Sequence, residues 1–204
     1  QLSLWKYSFD PQYNLINVKS VDCPTNYEPY AIKIVNYFSA SDRKAILVGG
    51  LITDSYYSQL IEFDTNLNIK NIVVDAILGK TVVIEYDEIN GIDTIILGIT
   101  RVAIGKMDAV VTLRRKTGAE DWVEFELSDF DDIRFEILDL LTISEDNIKK
   151  LIISSRTGLF ESKILHFEDI NSITSPICFY YEVFTENQIT YPELDPQKVI
   201  IFRK

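Results

Sequence analysis

The chain has 204 residues, 47% of them hydrophobic and 25% charged, and a net charge of −11. That composition suits one folded domain with a sizeable core and excludes a disordered chain. No apolar run approaches the roughly 18 residues of a membrane-spanning helix, and the excess of acids argues against a nucleic-acid partner.

From the N-terminus, residues 4–10 and 15–21 read as a pair of strands. Gln1 opens the chain with no visible secretory leader, and no N-x-Ser/Thr acceptor occurs, so a cytoplasmic or nuclear setting is expected. Further strands are predicted at 30–37, 44–51, 59–64, 80–86, 93–100, 109–115, 122–127, 150–154, 162–167 and 176–184, all rich in β-branched and aromatic residues. Asn90-Gly91, Thr117-Gly118 and Thr157-Gly158 punctuate them as turns. Connections this short make antiparallel pairs, because a parallel pair needs a crossover of about a dozen residues. Residues 129–141 have a second reading, an amphipathic helix with Ile133, Ile137 and Leu141 on one side. Residues 198–203 resemble one last strand, and either they or another chain are expected to pair near the N-terminal strands. An unpaired edge of their apolarity invites aggregation.

The strand order recurs. Ala45-Ile46-Leu47-Val48-Gly49 matches Thr94-Ile95-Ile96-Leu97-Gly98 and then Lys150-Leu151-Ile152-Ile153-Ser154, with Gly49, Gly98 and Ser154 as small residues for close approach. A second marker, Phe9, Phe63, Leu113 and Phe167, recurs at spacings of 54, 50 and 54 residues. Leu15-Ile16-Asn17-Val18 reads beside Leu67-Asn68-Ile69-Lys70. A unit of about 50 residues with four strands is the size of a propeller blade, and such a sheet must stack on neighbours to cover its faces. In spacing and strand pattern the chain resembles the broad WD40-like β-propeller superfamily. That resemblance implies an all-β fold of four-stranded antiparallel blades. Residues 1–204 then form a single domain, or a partial propeller of about 3.5–4 blades completed by its own termini or by another chain. A β-sandwich is the alternative fold.

Chemistry-bearing residues are sparse. His166, the one histidine, lies between Leu165 and Phe167 and reads as a strand residue, without a nucleophile beside it. Cys23 and Cys178 make neither a disulfide framework nor a zinc site, although a single bridge between them stays open. Asp87-Glu88-Ile89-Asn90-Gly91-Ile92-Asp93 resembles a calcium loop of integrin-like propellers, but Ile89 interrupts its oxygen ligands and a plain Asn-Gly hairpin is expected. The eight glycines form no phosphate-binding loop. No catalytic, metal or cofactor residue is therefore predicted.

Two features point to contact with other proteins. Between residues 117 and 147 eleven acids face a single base, Arg134, while the rest of the chain is nearly neutral. Arg114-Arg115-Lys116 precede that stretch and read equally as its local charge partners or as a ligand site. Tyr56 and Tyr57 sit beside Asp54 and Ser55 at a hairpin tip, where burial is hard. The expected function is a non-enzymatic interaction or scaffold module in a larger assembly, with Tyr56, Tyr57, Asp129, Asp131 and Asp132 as candidate contacts and a basic surface on the partner. The alternatives are a carbohydrate-active enzyme using paired carboxylates and a secreted four-bladed binding module.

Overall fold

The computed structural model describes residues 3–38, 44–103, 106–117, 121–129, 135–157, 161–167, 170 and 178–185. These form fourteen β-strands, and no helix is present among them. The order is β1 (Ser3–Phe9), β2 (Leu15–Asp22), β3 (Tyr27–Asn36), β4 (Lys44–Ile52), β5 (Tyr57–Asp64), β6 (Ile69–Leu78), β7 (Lys80–Ile89), β8 (Ile92–Ala103), β9 (Lys106–Thr117), β10 (Asp121–Asp129), β11 (Phe135–Glu145), β12 (Ile148–Thr157), β13 (Glu161–Phe167) and β14 (Cys178–Thr185). They pair antiparallel in chain order, as a β1–β2 hairpin followed by three four-stranded sheets, β3–β6, β7–β10 and β11–β14. The predicted last strand, residues 198–203, lies outside the described residues.

The sheets stack face to face in sequence. Leu4 and Val21 of the hairpin pack on Tyr27, Val48, Ile61 and Phe63 of the first sheet. Val35, Leu47 and Leu60 then meet Ile84, Ile95, Leu97 and Ile99 of the second. Ile89 and Ile96 in turn meet Ile137, Leu140, Leu151, Ile153 and Phe167 of the third. Strand alternation explains why the central strands are apolar throughout: on β8, Ile95, Leu97 and Ile99 point to one neighbouring sheet and Ile96 to the other. Each such isoleucine or leucine stabilises by about 1.5–3 kcal/mol on leaving water, so the stacking, more than any one pairing, holds the molecule together.

Close sheet approach needs glycine at two places, as the sequence pattern implies. A Cβ on Gly98 would fall 2.5 Å from Val83 Cγ1 and 3.0 Å from Ile137 Cγ2; on Gly49 it would fall 2.5 Å from Thr81 Cγ2.

The helical alternative for residues 129–141 gives way to strand from Phe135 onward. A bulge between Ile137 and Asp139 inserts Leu138, so that Ile137 and Leu140 both turn inward. Their spacing of three imitates a helical face. The first strand of each sheet carries such a bulge, between Pro29 and Ala31 and between Thr81 and Val83 in the other two.

From Trp5 and Gln59 to their turns, the β1–β2 and β5–β6 hairpins agree in register at a separation of 54, while a second bulge between Tyr57 and Gln59 has no counterpart in β1–β2. Phe9 pairs with Leu15 as Phe63 does with Ile69; Tyr7 pairs with Val18 as Ile61 does with Ile72, and the bulge falls at the same step. In the first turn the Asp10 carboxylate accepts the Gln12 and Asn14 backbone N–H groups at 2.9 and 2.8 Å. Asp64 accepts those of Asn66 and Asn68 at 2.8 and 2.9 Å. Tyr13 and Leu67 both take φ 65°. Leu67 is therefore the turn residue matching Tyr13, and the segment beginning at Leu15 corresponds to that beginning at Ile69, a correction of two residues to the pairing read from sequence. Leu113 also shifts: Ile46 opposes Phe63, whereas Ile95 opposes Arg114. A one-residue slip exchanges the faces of a strand.

The Asn68 side chain and backbone hydrogen bonds hold the Asp64 carboxyl at about 2, below its ordinary 3.8. Because the folded-state value is the lower one, the stabilisation is present above 3.8 and is lost as pH falls toward 2. Thermal melts across acid pH should thus show a smaller fall in Tm between those values for Asp64→Asn than for the parent. An identical fall would mean that the turn bonds do not favour the ionised form.

Candidate protein-binding surface

Tyr56 and Tyr57 lie where the β4 and β5 strands meet. Tyr56 takes φ 60°, its N–H donates to the Ile52 carbonyl at 2.7 Å, and its own carbonyl accepts from Gly79 N–H at 2.8 Å. Thr53 N–H donates to the Asn26 carbonyl at 2.9 Å, and the Asn26 amide donates to Asp54. This bonding fixes the backbone and leaves both tyrosines exposed.

The acidic stretch is divided by the fold. Its first part is β10, the outermost strand of the second sheet, and its later part is β11, an edge strand of the third. Both are paired with strands that carry bases. Glu124 stands opposite Arg114 and Glu136 opposite Arg156, while Lys150 Nζ meets Glu145 at 2.6 Å. Asp129 ends β10 with its backbone opposite Val110; Asp131 and Asp132 lie outside the described residues. The tyrosines belong to the first sheet and Asp129 to the second, so the candidates sit on separate elements.

The Asp87–Asp93 run forms a two-residue hairpin turn closed by Ile89 and Ile92. Asn90 and Gly91 take φ 55° and 76°, the geometry that Asn-Gly favours. Its carboxylates serve the fold. Asp87 accepts from Lys149 at 2.8 Å, tying the second sheet to the third. Asp93, almost fully buried, accepts Tyr86 Oη–H at 2.5 Å and Phe38 N–H at 2.6 Å. Burial, then the Asp93 contact, pushes the Tyr86 phenol upward and keeps it a donor. Glu85 similarly pairs with Lys33 at 2.9 Å, across the first and second sheets. Among the described residues no three metal-ligating side chains gather. His166 stands on β13, its backbone opposite Ile152 and Tyr180.

Among the described residues, two exposed apolar rows belong to residues not predicted as contacts from sequence. Trp5, Tyr7 and Phe9 alternate along β1, each 56% exposed, with Ile16 and Val18 exposed on β2. Their internal counterparts Ile61 and Phe63 are 0% exposed. Leu4 faces the first sheet instead, and Lys6 Nζ donates to the Thr65 carbonyl at 2.6 Å. A second row, Tyr30, Ile32 and Ile34, is exposed on β3. Ile32 follows the β3 bulge as Ile84 and Leu140 follow theirs, yet it is 59% exposed against 4% and 3%. The signal for the first row was the alternation Trp5-x-Tyr7-x-Phe9 on a predicted strand.

No protein-family model, curated protein or solved structure matches the chain. Among the described residues no helix is long and apolar enough to cross a membrane.

Proposed function

We propose that this chain is a non-enzymatic interaction module that docks other polypeptides within a larger assembly, its sheets acting as propeller-like blades of a roughly 50-residue repeat. One observation carries the reading: Trp5, Tyr7 and Phe9 are exposed where the matching Gln59, Ile61 and Phe63 of the β5–β6 hairpin are buried. Contiguous apolar rows of this kind mark contact sites on soluble proteins, and aromatic side chains supply most interface anchors. The blade reading draws on the three meandering sheets stacked in chain order and on the recurring bulge in each first strand.

Tyr56 and Tyr57 extend the contact surface at a rigid turn. The acidic charge of Asp129, Asp131 and Asp132 steers a basic partner, an effect that fades once the Debye length falls below about 10 Å. With a partner in hand, replacing these three acids by Asn is expected to slow association at low salt and leave dissociation nearly unchanged. Stopped-flow rates at two salt concentrations check this, and rates indifferent to both salt and substitution would remove the acids from the surface.

The module reading itself is tested by a photo-crosslinking amino acid placed at Tyr7 in cells of the source organism. A discrete adduct with another polypeptide is expected. Monomeric chain alone, with matched crosslinkers at Tyr56 and Gly91 equally silent, would overturn the reading.

A further inference from the structure

We infer that the β1–β2 hairpin is a hinged lid, which swings off the first sheet at Cys23–Pro24 and uncovers the centre of an apolar face. Directly opposed residues of antiparallel strands share a face. Ile32, Val48, Ile61 and Ile72 stand opposite one another across all four strands of the first sheet, and Ile34, Ile46, Phe63 and Ile69 form a second row. The hairpin covers only the middle of both rows. Val48, Ile61 and Phe63 are buried beneath it, whereas Ile32, Ile34, Ile69 and Ile72 are exposed at the two flanks. Opening joins these parts into one surface.

The hairpin is cohesive within itself and thinly attached to the first sheet. Its strands pair from Ser3–Asp22 to Phe9–Leu15, Ser3 Oγ–H donates to Asp22 at 2.7 Å, and the Asp10 carboxylate closes its turn. Toward the sheet, Leu4 and Val21 are only partly buried, and Lys6 Nζ donates to the Thr65 carbonyl at an exposed site. β7 lies close along β3, β4 and β5, and β11 along β7, β8 and β9; among the described residues neither β1 nor β2 approaches another sheet as closely. The first and second sheets are joined more firmly, by the Leu47, Leu60, Ile84, Leu97 cluster and by the Lys33–Glu85 and Phe38–Asp93 bonds. Elements with few buried contacts open first.

The bonding also locates the hinge. The Pro24 carbonyl accepts Tyr27 N–H at 3.1 Å, the Asn26 carbonyl accepts Thr53 N–H at 2.9 Å, and Tyr27 Oη–H donates to the Val48 carbonyl at 2.8 Å. The chain from Pro24 onward therefore stays with the first sheet, and Cys23 departs with β2. Cys23 is a free thiol, buried among Tyr27, Val48, Ile61 and Phe63. Burial, then the Asp22 charge, pushes its pKa upward, so beneath the closed lid it stays an unreactive thiol. Its accessibility reports the position of the lid.

The test is alkylation of the full chain by iodoacetamide, read by mass, in a Cys178→Ser background that leaves Cys23 as the sole thiol. Labelling is expected without denaturant, with a urea dependence that is a small fraction of that of global unfolding. Leu4→Ala should speed it about tenfold by loosening the lid. Ile153→Val, in the cluster between the second and third sheets, should lower global stability and leave the labelling rate unchanged. No labelling without denaturant, a urea dependence equal to that of global unfolding, or acceleration by Ile153→Val means that the hairpin leaves only with the whole fold, and overturns the inference. So does a rate indifferent to Leu4→Ala, which assigns the access to fraying at Cys23 alone. The Tyr7 crosslink reads the outer face of the hairpin, so the module reading and the lid fail separately.

Discussion

Phe63→Ala is expected to cost about 3–5 kcal/mol, whereas Phe9→Ala should leave stability within about 0.5 kcal/mol. The two positions are equivalent in pairing, bulge and turn, and differ in cover. Phe63 is 0% exposed among Tyr27, Val48 and Ile61, while Phe9 is 56% exposed. Removing a ring from a packed cluster forfeits its transfer free energy and leaves a cavity, neither of which applies to a ring already in water. Urea melts of both variants measure the contrast as a shift in midpoint at constant slope. A Phe9→Ala variant as unstable as Phe63→Ala would mean that the outer face of β1 is covered in the free chain, and both the open edge and the docking role would fail with it.

Gly98→Val should cost about 3 kcal/mol, near the upper end of the usual range for overpacking, and lower Tm by roughly 6–12 °C in a chain of this size. The added atoms meet Val83 and Ile137, which belong to two different sheets, so relief requires moving one sheet against another. Gly91→Ala is the contrasting substitution. Its Cβ meets nothing within 4 Å, and the cost is confined to φ +76°, about 1 kcal/mol of left-handed strain. Differential scanning calorimetry of the pair separates crowding from backbone strain. A Gly98 variant no worse than the Gly91 variant would contradict close approach of the second and third sheets.

Strand identity was legible because the period of two is visible even in short runs, and Asn90-Gly91 named its own turn. The glycine marker was legible too, since Gly49 and Gly98 sit in apolar strands where only packing explains them. Register was harder. Leu67 and Leu15 look alike as letters, yet the Asp64–Asn68 bonding makes Leu67 a turn residue. At β9 the alignment slipped by one and exchanged the faces. Bulges defeat pattern reading for a similar reason: Ile137 and Leu140 are three apart because Leu138 is extra, which imitates a helix. The candidate surface was legible in part. The need of the N-terminal strands for a partner follows from their apolarity alone. That Trp5, Tyr7 and Phe9 share the uncovered face, with Ile32 exposed in the layer below, depends on which sheets stack, and no single strand encodes that. The acidic run looked like one face because charge was counted along the chain, whereas the fold gives β10 and β11 to different sheets and sets Arg114 and Arg156 opposite their acids.

Residue-resolved hydrogen exchange of the free chain tests the open edge most directly. Amides of β5, paired on both sides by β4 and β6, should be protected along the whole strand. Amides of β1 should alternate, those directed at β2 exchanging slowly and those directed at the free edge exchanging at rates near those of the turn at Asp10–Asn14. Uniform protection of β1, equal to that of β5 and independent of protein concentration, would show the edge already filled and contradict the account.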